Sequence, residues 1–167
     1  MLAHTDTQTI LNQYADGPSL LDSALSGLTE TDLDLFPGAD SWSIRQIVHH
    51  LVDGDDIWKT CIKIALGNGD ALFSLQWYVV KSQMEWSESW AYSRRGLDSS
   101  LALYRANRAH ILDLIEHIPG ALEKSVRFDR PGKEELRITV FDVVELHVQH
   151  LAEHIENIKS IRQAHGV

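Results

Sequence analysis

Residues 145–158 read ELHVQHLAEHIENI and carry three imidazoles, His147, His150 and His154. Neutral imidazole is a nitrogen ligand for divalent metals and, near neutral pH, a carrier of protons. A helix turns about 100° per residue, so with His150 at zero, His154 falls at about +40° and His147 at about +60°. The apolar residues Val140, Val144, Val148, Leu151, Ile155 and Ile158 occupy bearings of about +80° to +160°. The imidazoles therefore border the stripe that this helix buries. His150 and His154, spaced i and i+4, can aim two ring nitrogens at one ion, a zinc–nitrogen bond being about 2.1 Å.

A third ligand has to come from another helix. The segment SIRQIVHHLVD offers His49 and His50. With His50 at zero, Ile47, Leu51 and Trp58 lie between about +60° and +100°, while His49 falls at about −100°. His50 is thus expected at the edge of the apolar stripe and His49 in solvent. Two facing stripes would bring His50, His150 and His154 together. A lone histidine beside an apolar face ordinarily serves as a hydrogen-bonded core residue; the matching edges of two helices turn the reading toward metal. His147 is a substitute ligand on the same helix. His4, His110, His117 and His165 have no such partners and are expected on the surface.

HLAEH, residues 150–154, also fits the H-x-x-E-H pattern of inverted zinc proteases, in which Glu153 would activate water. Glu153 lies at about −60° from His150 and is able to line the site. Those enzymes need a further glutamate ligand on a downstream helix, which is not expected in the short segment that follows. Pairing with a surface cation is the blander use of this side chain.

Four segments with helical periodicity must hold these residues. The first covers about 7–28 and contains Gly17-Pro18, which should kink or split it. The second opens at Ser43 with Gln46 three residues on, a capping box, and runs over 44–66 to the break at Gly67 and Gly69. The third covers 97–118 and the fourth 139–163, with Asp142 three residues after Thr139. Residues 73–95, including Trp77, Trp86 and Trp90, form an irregular aromatic-rich insert after the second helix. Residues 125–139, with the turn pair Pro131-Gly132, suit a short hairpin or an ordered loop equally. The expectation is an all-α four-helix bundle, one domain over residues 1–167.

Composition narrows the function. Apolar residues are 44% and charged residues 23% of the 167, with a formal charge of −9 and no basic stripe. That argues against a nucleic-acid partner. No apolar run approaches the roughly 20 residues of a membrane span, and the first residues lack the pattern of a signal peptide. Cys61 is the only cysteine, so no intrachain disulfide forms and cytoplasmic residence is the default. A small-molecule substrate is the expected partner; a homodimer is left open.

The pieces YADGPSLLDSALSGL, WSIRQIVHHLVD and HLAEHIENI resemble the DinB/YfiT-like superfamily of metal-dependent four-helix-bundle proteins. The resemblance covers nearly the whole chain in order. Its most specific part is Trp42-Ser43 at the helix opening, with His50 eight residues after the tryptophan and Asp53 three later. A histidine pair spaced by four and followed by an amide is the second part: His150, His154 and Asn157, where glutamine is more usual. The resemblance implies the same three ligands that the bearings select. It also implies two kinds of activity, metal-dependent hydrolysis and transfer to a low-molecular-weight thiol.

Both suit three neutral imidazoles, which leave a divalent ion its full charge and an open position. Zinc and nickel both accept such ligands. Bound water would reach a pKa of about 7, or a bound thiol would be held as thiolate. Asp53, at about −60° from His50, would orient a ligand or water, or else be a surface charge beside Asp55 and Asp56. Cys61 lies on the order of 16 Å along the helix from His50 and is expected in the core. Tyr78, Trp77 and Trp86 are candidate pocket walls, although core or dimer packing is the more usual role for any one of them. Hydrolysis is the favoured reading, thiol transfer the second, and a non-catalytic binding or structural bundle the third.

Overall fold

A computed structural model describes residues 6–38, 41–129 and 132–167. Its helices are α1 (Thr7–Leu25), α2 (Ile44–Gly67), α3 (Gln76–Val79), α4 (Gln83–Ser89), α5 (Asp98–His117) and α6 (Val140–His165). Three short strands accompany them: β1 (Leu72–Ser74), β2 (Ser125–Asp129) and β3 (Leu136–Thr139). The four long helices make the bundle. α1 packs on α5 and α6, and α2 packs on the same two. Consecutive long helices α1 and α2 therefore stand diagonally across the bundle, as do α5 and α6.

Local chemistry sets the helix starts. The Ser43 hydroxyl accepts from the Gln46 amide at 3.3 Å while the Gln46 carboxamide oxygen accepts from the Ser43 amide at 2.9 Å, so the expected capping box opens α2. Thr139 and Asp142 make the same reciprocal pair at the start of α6, with distances of 3.0 and 2.8 Å. α6 ends at Gly166, whose φ of 72° is the left-handed conformation glycine adopts freely.

The region between α5 and α6 is a hairpin, β2 pairing antiparallel with β3. Of its expected turn pair, Pro131 lies outside the described residues, as does His4. The aromatic insert supplies a third strand that the sequence did not announce: β1 runs parallel to β2, Phe73 opposite Phe128. Three residues are too few for a periodic signal. The rest of the insert is α3, α4 and a 3-10 turn at Tyr92–Arg94. Tyr78, Trp86 and Trp90 stack together, and the Trp86 indole donates to the Tyr78 carbonyl at 2.7 Å.

α1 passes through Pro18 without splitting, contrary to expectation. Pro18 has no N–H to give the Tyr14 carbonyl, four residues back. Arg108 of α5 fills that vacancy, its Nη1 donating to the Tyr14 carbonyl at 3.0 Å. Gly17 makes room for the guanidinium. A Cβ built there would collide with Arg108 Nη1 and lie 2.9 Å from Cζ and 3.0 Å from a Leu151 methyl.

Arg108 belongs to a polar layer that divides the core. Asp55, expected at the surface, is 3% exposed and Arg108 1%. Arg108 Nε donates to Asp55 Oδ2 at 2.8 Å, and its Nη2 reaches the His147 carbonyl at 3.4 Å. The rings of Tyr14 and Tyr104 flank the guanidinium, centroids 4.4 and 4.5 Å from Cζ, as cation–π contacts. On one side of the layer lie Leu21, Ile44, Leu51, Leu151 and Ile158; on the other lie Ile10, Ile62, Ile111, Val126 and Val144. Cys61 sits in this second cluster, as expected.

Helix propensity alone makes Gly17→Ala stabilising by about 1 kcal/mol. The guanidinium behind Gly17 reverses the sign: we expect a loss of about 2–4 kcal/mol, measured by urea denaturation. A gain in stability would show that Arg108 is not seated against α1.

Candidate metal centre

α2 carries His50 and α6 carries His150 and His154, so two adjacent helices of the bundle supply the site. The capping box fixes where α2 starts, and Trp42 just before it packs on both sets of ligands. Its ring centroid is 4.4 Å from that of His50 and 6.1 Å from that of His154.

The three imidazoles converge. Nε2 of His50 lies 3.0 Å from Nε2 of His150, which lies 3.1 Å from Nε2 of His154. The rings meet nearly edge to edge, with interplanar angles of 80°, 73° and 80°. Among the described residues, these three form the one group of His, Cys, Asp or Glu whose ligand atoms all fall within 4.8 Å of one another. Hydrogen bonding explains the arrangement poorly, because a neutral imidazole has one N–H and one lone pair and His150 Nε2 faces two neighbours at once. A small divalent ion explains it better: nitrogens on bonds of about 2.1 Å lie about 3.0 Å apart at octahedral right angles and about 3.4 Å apart at tetrahedral angles.

The electrostatics agree with that fit. Burial, then the neighbouring His150 and His154, push the His50 pKa down to about 3. Burial and His150 push that of His154 down to about 4, and burial lowers that of His150. All three rings are neutral at physiological pH, the form that binds a cation.

The other sequence candidates fall elsewhere. His49, expected in solvent, is fully buried: its Nδ1 is 2.9 Å from Ser100 Oγ, its Nε2 is 3.3 Å from the Arg95 carbonyl, and its ring lies beside Tyr92. α5 and the Tyr92–Arg94 turn cover this second face of α2. The signal was present in Val48 and Val52, at about +160° and −160° from His50, which widen the apolar stripe toward His49. His147 faces Asp55, Nδ1 to Oδ1 3.5 Å, and stacks on Tyr14. Asp53 shares a hydrogen bond with Tyr92, and burial raises its pKa. Glu153 is exposed. His110, His117 and His165 are exposed, as expected.

Two cavities reach the imidazoles. The more enclosed one, of about 220 Å³, is bordered by His50, His147 and His150 together with Trp58, Leu75, Tyr78 and Leu146. A more open groove of about 450 Å³ is bordered by Trp42, Met84, His154, Asn157 and Ser160. Gln83 borders both. Tyr78 is a wall, as expected, whereas Trp86 packs within the insert and Trp77 is half exposed. Leu75, Gln83 and Leu146 were not singled out, because nothing in an isolated leucine or glutamine marks it as lining a pocket.

Comparison with known proteins places this geometry. The model of the DinB superfamily matches residues 13–158. A Bacillus licheniformis protein named "Putative metal-dependent hydrolase" is 29% identical over 159 residues, which are 93% of this chain and 85% of the relative. One of the same designation from Oceanobacillus iheyensis is 22% identical over 152 residues, 90% of this chain and 83% of the relative. The structure of YfiT from Bacillus subtilis, described as "a probable metal-dependent hydrolase with an unusual four-helix bundle topology", superposes with a TM-score of 0.82 at 21% identity. The match covers 99% of this chain and 91% of that one.

The lowered imidazole pKa values make stability depend on pH. Below about pH 6.5 the unfolded chain binds protons that the folded, metal-free chain does not, so acid favours unfolding. The contribution of His50 and His154 is complete above that pH and is lost as pH falls toward their folded values of about 3 and 4. Urea midpoints measured in chelator should decline from pH 7 to pH 5, a window in which most carboxylates stay ionised. A flat profile would contradict the burial of neutral rings.

Proposed function

The chain belongs to the DinB superfamily, and from that premise we propose that it is a metal-dependent hydrolase of a small molecule, with His50, His150 and His154 as the protein ligands of one divalent ion. The observation that carries this reading is the convergence of imidazoles from sequence-distant helices: His150 Nε2 lies 3.0 Å from His50 Nε2 and 3.1 Å from His154 Nε2, with all three ligand atoms within 4.8 Å of one another. The names of the relatives agree with it. Zinc or nickel suits three imidazoles, and either ion, when bound, lowers the pKa of water toward about 7 and polarises a carbonyl oxygen.

The chain's own residues do the rest. Neutral ligands leave the charge of an ion undiminished, and the indole of Trp42 keeps bulk water from two of the rings. In the reaction, the oxygen of water bonds to an acyl carbon, the bond from that carbon to the leaving atom breaks, and the leaving atom departs with a proton. The products are an acid and an amine, alcohol or similar group. Glu153, one residue before His154, is exposed and borders neither cavity, so the proton of water passes to solvent. Asp53, tied to Tyr92 beside Arg95, steadies the turn of α2 that presents His50. Transfer to a low-molecular-weight thiol gains no comparable support: among the described residues, neither cavity is bordered by a Lys or Arg that would receive the carboxylates of an amino-acid thiol.

Elemental analysis and calorimetric titration of the purified protein should find about one equivalent of zinc or nickel per chain. His50→Ala and His154→Ala should each weaken binding by about 100-fold or more. His49→Ala should cost about 1–3 kcal/mol of stability by stranding Ser100 in the core, yet keep the metal stoichiometry. A wild-type chain without metal affinity, or a His50→Ala variant with unchanged affinity, would overturn the assignment.

A further inference from the structure

In a chain with 23% charged residues, neither cavity at the imidazoles is bordered by an Asp, Glu, Lys or Arg among the described residues. The two cavities differ in kind. The enclosed one is walled by Ile57, Trp58, Leu75 and Leu146, with the Tyr78 ring. The open groove adds the neutral polar groups of Ser41, Asn157 and Ser160. His50 and His150 border the first and His154 borders the second, so the imidazole cluster stands between them.

Gln83 stands at the same junction. Its carboxamide oxygen accepts from the Tyr78 hydroxyl at 2.8 Å, which turns the amide NH2 toward other acceptors. It is the first residue of α4, whose start is pinned by the Ser82 and Glu85 capping box. Leu75, Tyr78, Gln83 and Met84 all come from the segment between α2 and α5.

We propose that the substrate is an uncharged molecule that straddles the imidazole cluster, with an apolar group of aryl or branched-alkyl type in the enclosed cavity and a neutral polar group in the open groove. The proposal rests on the hydrolase reading. A charge placed in that cavity would lose water and meet no opposite charge on its walls among the described residues, at a cost of several kcal/mol. Trp58 and Tyr78 present flat faces for an aryl group, and the Gln83 NH2 is placed to donate to a carbonyl oxygen where the cavities meet. The segment between α2 and α5 is then the element that selects the substrate, while α2 and α6 hold the reactive centre.

Three probes test this: 4-methyl-, 4-carboxy- and 4-aminomethyl-phenylacetamide, which share the amide and differ in charge at the far end of the ring. Binding to zinc-loaded protein is followed by tryptophan fluorescence, with zinc content measured on the same samples. The methyl probe should bind at least about tenfold more tightly than either charged one. Leu146 is 39% exposed and tolerates change, so Leu146→Lys should reverse the order in favour of the carboxy probe without altering zinc content. Leu146→Gln should weaken the methyl probe and create no preference for the acid. Equal binding of charged and neutral probes, no binding of the methyl probe at millimolar concentration, or an unchanged order in Leu146→Lys would overturn the proposal while the hydrolase reading stands. Failure of the wild-type protein to bind either zinc or nickel would overturn both.

Discussion

A guanidinium cannot shed its proton inside a protein, so a buried arginine dictates what must surround it. Arg108 is placed where the four long helices meet, and each answers it differently. α1 offers the Tyr14 carbonyl and the empty side of Gly17, α2 the Asp55 carboxylate, and α6 the His147 carbonyl. Such a pair adds little net stability compared with an apolar replacement. Its effect is on register, because sliding any helix by a turn would leave a charge without its counterpart. Asp55 lies five residues beyond His50 and His147 three before His150. Seating the arginine therefore seats α2 against α6 at the level where the imidazoles meet.

The imidazole cluster works by a related economy of charge. Three neutral rings, each with one N–H and one lone pair, converge in a setting too dry for a second proton. Hydrogen bonds among them cannot satisfy every ring nitrogen at the point where they meet. Trp42 and the apolar walls add dryness, which strengthens every electrostatic interaction at the centre. The ionic layer lies on the other side of His147, where Asp55 and Arg108 neutralise one another, so no net charge disturbs the rings from beneath.

The helices were legible because periodicity and caps are local. Ser43 with Gln46 and Thr139 with Asp142 start α2 and α6 within a residue of where the sequence places them. His50, His150 and His154 were legible because bearings on two helices single them out together. What escaped depended on partners remote in the chain. Gly17-Pro18 looks like a break until Arg108 supplies the missing donor. Asp55 looks like a surface acid until the same arginine claims it. His49 looks exposed because a single apolar stripe was assumed for a helix that is covered on two sides. β1 needed β2, more than fifty residues later, to be a strand at all.

The diagonal placement of α1 and α2 has a bearing on biosynthesis. His50 and His150 are separated by 100 residues, so α2 meets α6 only after α5 and the hairpin have been made. A growing chain thus carries His50 without the other two imidazoles of the trio throughout that interval. The trio forms only once α6 is in place, which ties the convergence of its rings to assembly of the bundle.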